Sequence, residues 1–124
     1  MKRVINCGYK FEQRGNSYYM TSTSTHNTYK VDIEELDDND ISGYCTFQMA
    51  IVKPYDDADY AWAKYDGSTI MCFQKGKLVD YLGGFYYESD RYETFDEYCT
   101  QAMEEAFNML EEINKTVEPR MLYN

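Results

Sequence analysis

No spacing of residues in this chain of 124 residues forms a catalytic signature. His26 is the single histidine, and the polar segment around it, residues 22–28, contains nothing that would order a nucleophile and its base. The four cysteines stand 27 or 38 residues apart and form no CxxC pair, which does not favour a zinc site. We predict reduced core thiols at all four positions, which are Cys7, Cys45, Cys72 and Cys99.

One acidic segment, residues 38–43, resembles the first half of an EF-hand calcium loop. Its Asp-Asn-Asp-Ile-Ser-Gly order places oxygen ligands at the first, third and fifth positions and glycine at the sixth. The twelfth position is Met49, where the loop requires a bidentate glutamate, and residues 32–36 are too strand-like for an entering helix. A solvated acidic turn is the simpler interpretation, with weak calcium binding or a protein contact as alternatives. We predict no bound metal and no cofactor.

Motifs that would indicate an enzyme do not occur. The chain has no Walker loop, no GxGxxG and no HExxH. A glycosidase needs two carboxyl groups across a cleft, and the acids here are too numerous for any one pair to indicate that chemistry. We therefore predict a protein that is not an enzyme.

Negative charge is the strongest chemical feature of the sequence. The 22 acidic and 12 basic residues give a formal net charge of -10, and residues 32–112 contain 20 acids against five bases. Such a field repels nucleic acid and attracts basic partners. Aromatic residues beside acids can anchor an interface that the charges steer, although most of the 14 tyrosines also fit sheet positions. The predicted partner-binding residues are Asp37, Asp38, Asp40, Asp56, Asp57, Asp59, Tyr55 and Tyr60.

The clearest structural element is an amphipathic helix over about residues 95–117. Thr94 and Glu97 fit a capping box at its start, and Pro119 prevents much continuation. Apolar residues recur every three or four positions, at Phe95, Tyr98, Cys99, Ala102, Ala106, Met109, Leu110, Ile113 and Val117. The predicted exposed face consists of Asp96, Glu97, Gln101, Glu104, Glu105, Asn108, Glu111 and Glu112.

Alternating apolar residues predict a series of strands before this helix. The predicted strands are residues 4–11, 18–23, 29–34, 44–52, 60–65, 68–74 and 78–82, with 85–87 as a continuation or further strand. An acidic loop is expected at 35–43, and Asp66-Gly67 favours a type I′ turn. The strand at 44–52 is the best candidate for the sheet centre, with its Cys45, Phe47, Met49 and Ile51 side under the helix.

These elements predict one α+β domain over residues 1–124. Its strands, within about 4–88, form an antiparallel β-meander, one long helix packs on one face, and residues 118–124 are a short tail. The first residues do not read as a signal peptide, and no apolar run reaches the length of a membrane span. We expect a cytoplasmic protein.

Small size, acidity, abundant tyrosine and the lack of an enzyme motif together resemble the small phage-encoded inhibitors of host defence, the anti-CRISPR and anti-restriction proteins. The resemblance is one of overall character and transfers no residue roles. It implies a viral inhibitor in the bacterial cytoplasm, a monomer or homodimer that occupies a basic groove of a CRISPR effector nuclease or another nucleic-acid enzyme. Mimicry of nucleic acid by surface carboxylates would achieve this without nucleic-acid or membrane binding. The alternatives are an immunity-type protein that neutralises a basic toxin, and a phage structural or assembly protein.

Overall fold

The computed structural model describes residues 8–37, 43–52, 60–87 and 94–114. Within those ranges it contains a seven-stranded antiparallel sheet and one helix, so the α+β prediction is confirmed. The sheet order is β1-β2-β3-β4-β5-β6-β7, so every strand pairs with its neighbour in sequence. The elements are β1 (Tyr9–Arg14), β2 (Ser17–Ser22), β3 (Thr28–Asp37), β4 (Tyr44–Ile51), β5 (Trp62–Tyr65), β6 (Thr69–Gln74), β7 (Lys77–Gly83) and α1 (Phe95–Asn114).

Strand β4 lies at the centre of the sheet, as its alternation predicts. Successive side chains of a strand point to opposite faces, so one face can be apolar while the other meets water. Gln48 and Ala50 on the outer face are exposed. The inward residues Cys45, Phe47, Met49 and Ile51 are all buried in the core that the sheet shares with α1.

The sheet curves around α1, so that strands from both of its ends reach the helix. At one end the ring of Tyr9 on β1 lies 5.4 Å from that of Phe107. At the other end Tyr87, which follows β7, lies 5.5 Å from Tyr98. Because of this curvature, more of the helix is buried than its predicted apolar stripe. Phe107 and Met103, which that stripe does not include, are buried as well.

Two predictions about the elements, the end of β3 and a strand at 85–87, are wrong. β3 continues to Asp37, so the predicted acidic loop starts later than residue 35. Backbone pairing explains the extension, because Glu35 to Asp37 pair with β4 beyond a bulge, and a ladder of hydrogen bonds outweighs a weak strand propensity. Residues 84–87 form no strand; instead the Phe85 N–H donates to the Ser68 carbonyl at 2.9 Å.

The type I′ turn occurs one hairpin later than predicted. A type I′ turn needs positive φ at both central residues, and Lys75 and Gly76 meet that requirement with φ of 54° and 77°. At the hairpin between β5 and β6, Gly67 has positive φ but Asp66 does not. Asp66 instead precedes the turn, and its carboxylate accepts the N–H groups of Ser68 at 2.9 Å and Thr69 at 2.8 Å.

Buried tyrosines form much of the core, which supports the sheet-position interpretation for several of the 14. Tyr29, Tyr65 and Tyr98 are fully buried, and each hydroxyl group is hydrogen-bonded. The hydroxyls of Tyr65 and Tyr98 lie 2.6 Å apart. Burial raises the pKa of Tyr98 to about 12, so these side chains stay neutral in the fold.

Several predictions lie outside the described residues. They are the strand residues before 8, the calcium-like positions 38–42, any helix beyond 114 and the tail. Cys7 lies there too. The other three cysteines are buried free thiols, as predicted.

Glu111 is the main correction to the predicted helix faces. It was assigned to the exposed face but is only 2% exposed. Its carboxylate accepts hydrogen bonds from Thr25 Oγ1 at 2.7 Å, Asn27 Nδ2 at 2.9 Å and the Tyr29 hydroxyl at 2.7 Å. The described residues supply no basic partner to it, so these three donors replace its hydration and fasten α1 to the β2–β3 hairpin.

A second polar contact fixes the same end of α1. The Asn114 side chain accepts the Ala61 N–H at 3.0 Å and donates to the Ala61 carbonyl at 3.3 Å. This amide thus accepts one hydrogen bond from the backbone just before β5 and donates one to it, as the backbone of a neighbouring strand residue would. Together Glu111 and Asn114 set the position of the helix along the sheet.

We expect Glu111→Gln to lower the free energy of unfolding by about 1–3 kcal/mol, because an amide group cannot accept all three of the buried hydrogen bonds. Chemical denaturation measures the change. The matched control is Glu112→Gln, the same substitution at the exposed neighbour, which should change stability by less than about 0.5 kcal/mol. Equal effects of the two substitutions would contradict the buried network.

Candidate protein-contact surface

The exposed side of α1 forms a strip that we call the acidic face. On a helix that advances about 100° per residue, its members lie within roughly a 100° arc. All of them are exposed or half-buried, and the opposite side of the helix lies in the core. The acidic face consists of Glu97, Gln101, Glu104, Glu105, Asn108 and Glu112.

The N-terminal end of α1 is capped as predicted. The Thr94 hydroxyl accepts the Glu97 N–H at 3.0 Å, which satisfies one of the free donors of the first turn. Asp96 and Glu97 place negative charge where the helix dipole favours it. The start of the acidic face is therefore stabilised by local structure.

At the C-terminal end of α1 the charges are unfavourable for the helix dipole. The last turn of α1 contains Glu111 and Glu112 and no basic residue, although the dipole favours cations there. Over its 20 residues the helix has six acids and no base, a net charge of -6. The buried hydrogen bonds of Glu111 account for that acid, whereas helix stability does not explain Glu112.

The carboxylates of the acidic face have a regular spacing. Glu97 and Glu104 are seven residues apart, as are Glu105 and Glu112, so each pair spans about 10.5 Å along the axis. Three nucleotide steps of one DNA strand cover about the same distance. The density of charge is lower than in DNA, because four carboxylates occupy about 22 Å.

Basic residues are confined to the other layer of the molecule. Within the described ranges, every lysine and arginine belongs to a strand or a strand–strand turn, and α1 has none. Arg14 pairs with Glu12 at 2.9 Å and stacks over the Tyr19 ring at 4.5 Å. The described structure is therefore two-sided: an acidic helix layer and a sheet layer of mixed charge. A basic partner would approach from the helix side.

One acidic side chain of the helix contacts the sheet. The Tyr9 hydroxyl on β1 donates a hydrogen bond to Glu104. Partial burial, with the hydrogen bond and the negative charge of Glu104, raises the pKa of Tyr9 to about 12. This contact fixes Glu104 at the border of the acidic face, and the other carboxylates of that face lie on the far side from the sheet.

Two of the eight sequence-predicted contact residues lie in the described ranges. Asp37 is half-buried at the end of β3, where it pairs with Tyr44 at the start of β4. Tyr60 is only 7% exposed and belongs to the core, so it is removed from the contact surface. In the sequence, an aromatic residue that follows an acidic segment looks the same whether its ring is buried in the core or exposed at an interface. The remaining predicted residues lie outside the described ranges; they are Asp38, Asp40, Tyr55, Asp56, Asp57 and Asp59.

The chain segments next to the two predicted acidic loops lie at opposite ends of the sheet. One loop follows Asp37, beside Tyr44, and the other follows Val52, beyond the far end of β4. Seven strand steps separate Tyr44 from Ile51, a distance of about 24 Å. This separation argues against one compact surface built from both loops, and the acidic face of α1 is the continuous acidic surface that the structure describes.

A smaller acidic group lies at the end of β3. A hydrogen bond with Glu35, together with partial burial and the charges of Glu35 and Asp37, raises the pKa of Tyr44. Tyr44 therefore remains a neutral hydrogen-bonding group beside two carboxylates.

Two buried thiols, Cys45 and Cys99, share a hydrogen bond. This bond and burial raise the pKa of the Cys99 thiol, while the same bond lowers that of Cys45. A protonated, buried thiol is a poor nucleophile. Neither side chain opens to the acidic face, and both belong to the core between β4 and α1.

Among the described residues, no three His, Cys, Asp or Glu side chains are grouped so as to hold a metal ion. In the same ranges no helix has both the length and the apolar character needed to cross a membrane.

Comparison with known proteins gives no relative from which a function could be transferred. No protein-family model, no curated protein and no solved structure matches the chain.

We expect the same substitution at the two ends of the acidic face to have opposite effects on stability. Glu97→Lys removes a favourable acid from the first turn and should destabilise the fold, whereas Glu112→Lys supplies a cation to the last turn and should stabilise it, each by about 0.3–1 kcal/mol at low salt. Thermal or urea unfolding of both variants tests this. Changes of the same sign, or changes unaffected by added salt, would contradict it.

Proposed function

We propose that this protein is a non-enzymatic inhibitor that uses the acidic face of α1 to occupy a basic, nucleic-acid-binding groove of an enzyme. The target class is a nuclease or another nucleic-acid enzyme of a bacterial host, as for anti-CRISPR proteins. The role is stoichiometric: the protein remains bound and prevents entry of the natural substrate. Its proposed place of action is the cytoplasm of that host.

The observation that carries the proposal is the uninterrupted acidity of α1. Five acids outside the core and no base occur in 20 residues, and Glu112 lies in the last turn against the helix dipole. Surface acidity for solubility is commonly mixed with bases on the same element, as it is on the described strands. On α1 the two signs are not mixed, which is the arrangement that a single basic partner requires.

The mechanism follows from electrostatics. A groove lined by Lys and Arg holds condensed counterions or bound phosphates, and carboxylates at a similar spacing can replace them. The 10.5 Å repeat of the acidic face matches three nucleotide steps, so pairs of carboxylates would meet every third phosphate position. Asn108 and Gln101, which lie between these carboxylates, can form hydrogen bonds with the groove without adding positive charge. Binding of this kind is expected to be fast and sensitive to salt.

Rigidity adds to the proposed inhibition. The acidic face belongs to a helix held from behind by the core and by Glu111 and Asn114. Its carboxylates are therefore pre-arranged on a fixed backbone, and less conformational entropy is lost on binding than with acids on a free chain. An inhibitor must compete with a long polyanion, so this advantage supports the helix as the contact element.

The test is capture of partners from bacterial extract with tagged protein, eluted by a salt gradient and identified by mass spectrometry. We expect a nucleic-acid enzyme that elutes at moderate salt and is displaced by added DNA or RNA. The triple variant Glu97→Lys, Glu105→Lys, Glu112→Lys should lose it, because the charge of the contact surface is reversed.

The matched control reverses three exposed acids of the sheet layer, Glu12, Asp32 and Glu34, to lysine. Both triple variants change the net charge by the same amount, so the comparison separates the position of the charge from its quantity. Retention of the partner by the control and loss by the helix variant support the proposal. Equal loss in both variants would show a general charge effect and would contradict it. Capture of a basic toxin in place of a nucleic-acid enzyme would favour the immunity alternative.

A further inference from the structure

The outer face of the sheet carries an apolar patch that none of the described residues covers. It lies on β5, β6 and β7, away from α1, and cross-strand pairing brings its members together in two adjoining rows. Trp62 and Phe73 stack with ring centroids 4.8 Å apart. Beside them Leu78 is 52% and Tyr81 64% exposed. The patch consists of Trp62, Met71, Phe73, Leu78 and Tyr81.

Charge at this patch differs from charge elsewhere on the molecule. The outward positions of β5 to β7 contain no acid and one base, Lys64. A basic partner would prefer the acidic face of α1, and one lysine is too few for the several phosphate contacts that nucleic acid needs. The chemistry that fits the patch is therefore another apolar, acid-free surface.

We infer that this patch is where a second copy of the chain docks, sheet against sheet, in a closed two-fold dimer. The same patch on both copies satisfies the requirement of an isologous interface. Each copy has a net charge of -10, so two copies can approach only where acids are absent from the contact. The patch meets that condition, and the acidic face of α1 does not.

The back-to-back arrangement also minimises repulsion between the acidic helices. Each helix lies on the far side of its own sheet, and packed layers are about 10 Å apart. The two acidic faces are thus separated by roughly 30 Å or more, several times the Debye length of about 8 Å at physiological salt. The dimer contact covers neither acidic face, so the dimer does not rest on the proposed function and would make the inhibitor bivalent.

Sedimentation of the full chain over a wide range of concentrations tests the inference. Trp62 is the single tryptophan, so its fluorescence reports on the patch itself. We expect a dimer at high concentration and, on dilution, dissociation together with a red shift of the emission as Trp62 becomes hydrated. The double variant Leu78→Lys, Tyr81→Lys should be monomeric with red-shifted emission throughout.

The matched control is Phe11→Lys, an apolar-to-lysine change at a residue 48% exposed on β1, which should remain dimeric. Circular dichroism verifies that each variant is folded. If the double variant is unfolded, the dilution series of the wild-type protein tests the inference by itself. A wild-type monomer at every concentration would overturn the inference. So would a dimer that dissociates without a change in Trp62 emission. Glu97→Lys, Glu112→Lys should still dimerise, so failure of the dimer and failure of the proposed function are distinguishable.

Discussion

The buried carboxylate of Glu111 is the contact on which the placement of α1 depends. A carboxyl group in a core must have hydrogen bonds, and this one has three, all from the β2–β3 hairpin. Apolar packing alone would let the helix slide by a fraction of a turn, because hydrophobic contacts are not directional. Three directed hydrogen bonds at one end, with the Asn114 pair beside them, allow a single position.

That position decides which side chains of α1 meet water. Once Glu111 is directed inward, Glu104 lies at the border with β1, and Glu97, Glu105 and Glu112 point away from the sheet. The sheet buries one side of the helix, and the acidic face lies on the other side. The fold thus concentrates the charge of the helix on one narrow surface. The opposite outer surface, on β5 to β7, is free of acids and apolar, and the molecule has two faces of different chemistry.

The main features of the fold could be predicted from local pattern. Alternation along residues 44–52 identifies β4 because one of its faces is buried, and Thr94 identifies the helix start because capping is a local interaction. Glu111 could not be identified in this way. Its donors lie 82 to 86 residues away in sequence, and its position in the helix repeat is that of a surface residue. The burial of Met103 and Phe107 was not predicted for a related reason: a single apolar stripe underestimates how much of a helix is buried beneath a curved sheet.

The contact surface was less accessible to sequence reasoning than the fold. Acid-rich segments such as 38–40 and 56–59 are prominent in the sequence because their acids are closely spaced, but the described residues that flank them, Tyr44 and Ile51, lie at opposite ends of β4. The helix acids are more dispersed in sequence, and only the 3.6-residue repeat gathers them on one side. The informative signal was the absence of any lysine or arginine between residues 95 and 114, a feature that acid counts alone do not show.

The central claim, that the acidic face of α1 is the contact surface, is tested most directly by site-specific photocrosslinking in bacterial extract. A photoreactive amino acid at Gln101 lies in the middle of that face, and one at Gln48 lies exposed on the outer face of the sheet. The account predicts covalent adducts of a nucleic-acid enzyme at position 101 that added DNA or high salt abolishes, with none at position 48. Adducts to that enzyme at position 48 alone, or adducts at 101 that neither DNA nor salt affects, would contradict it.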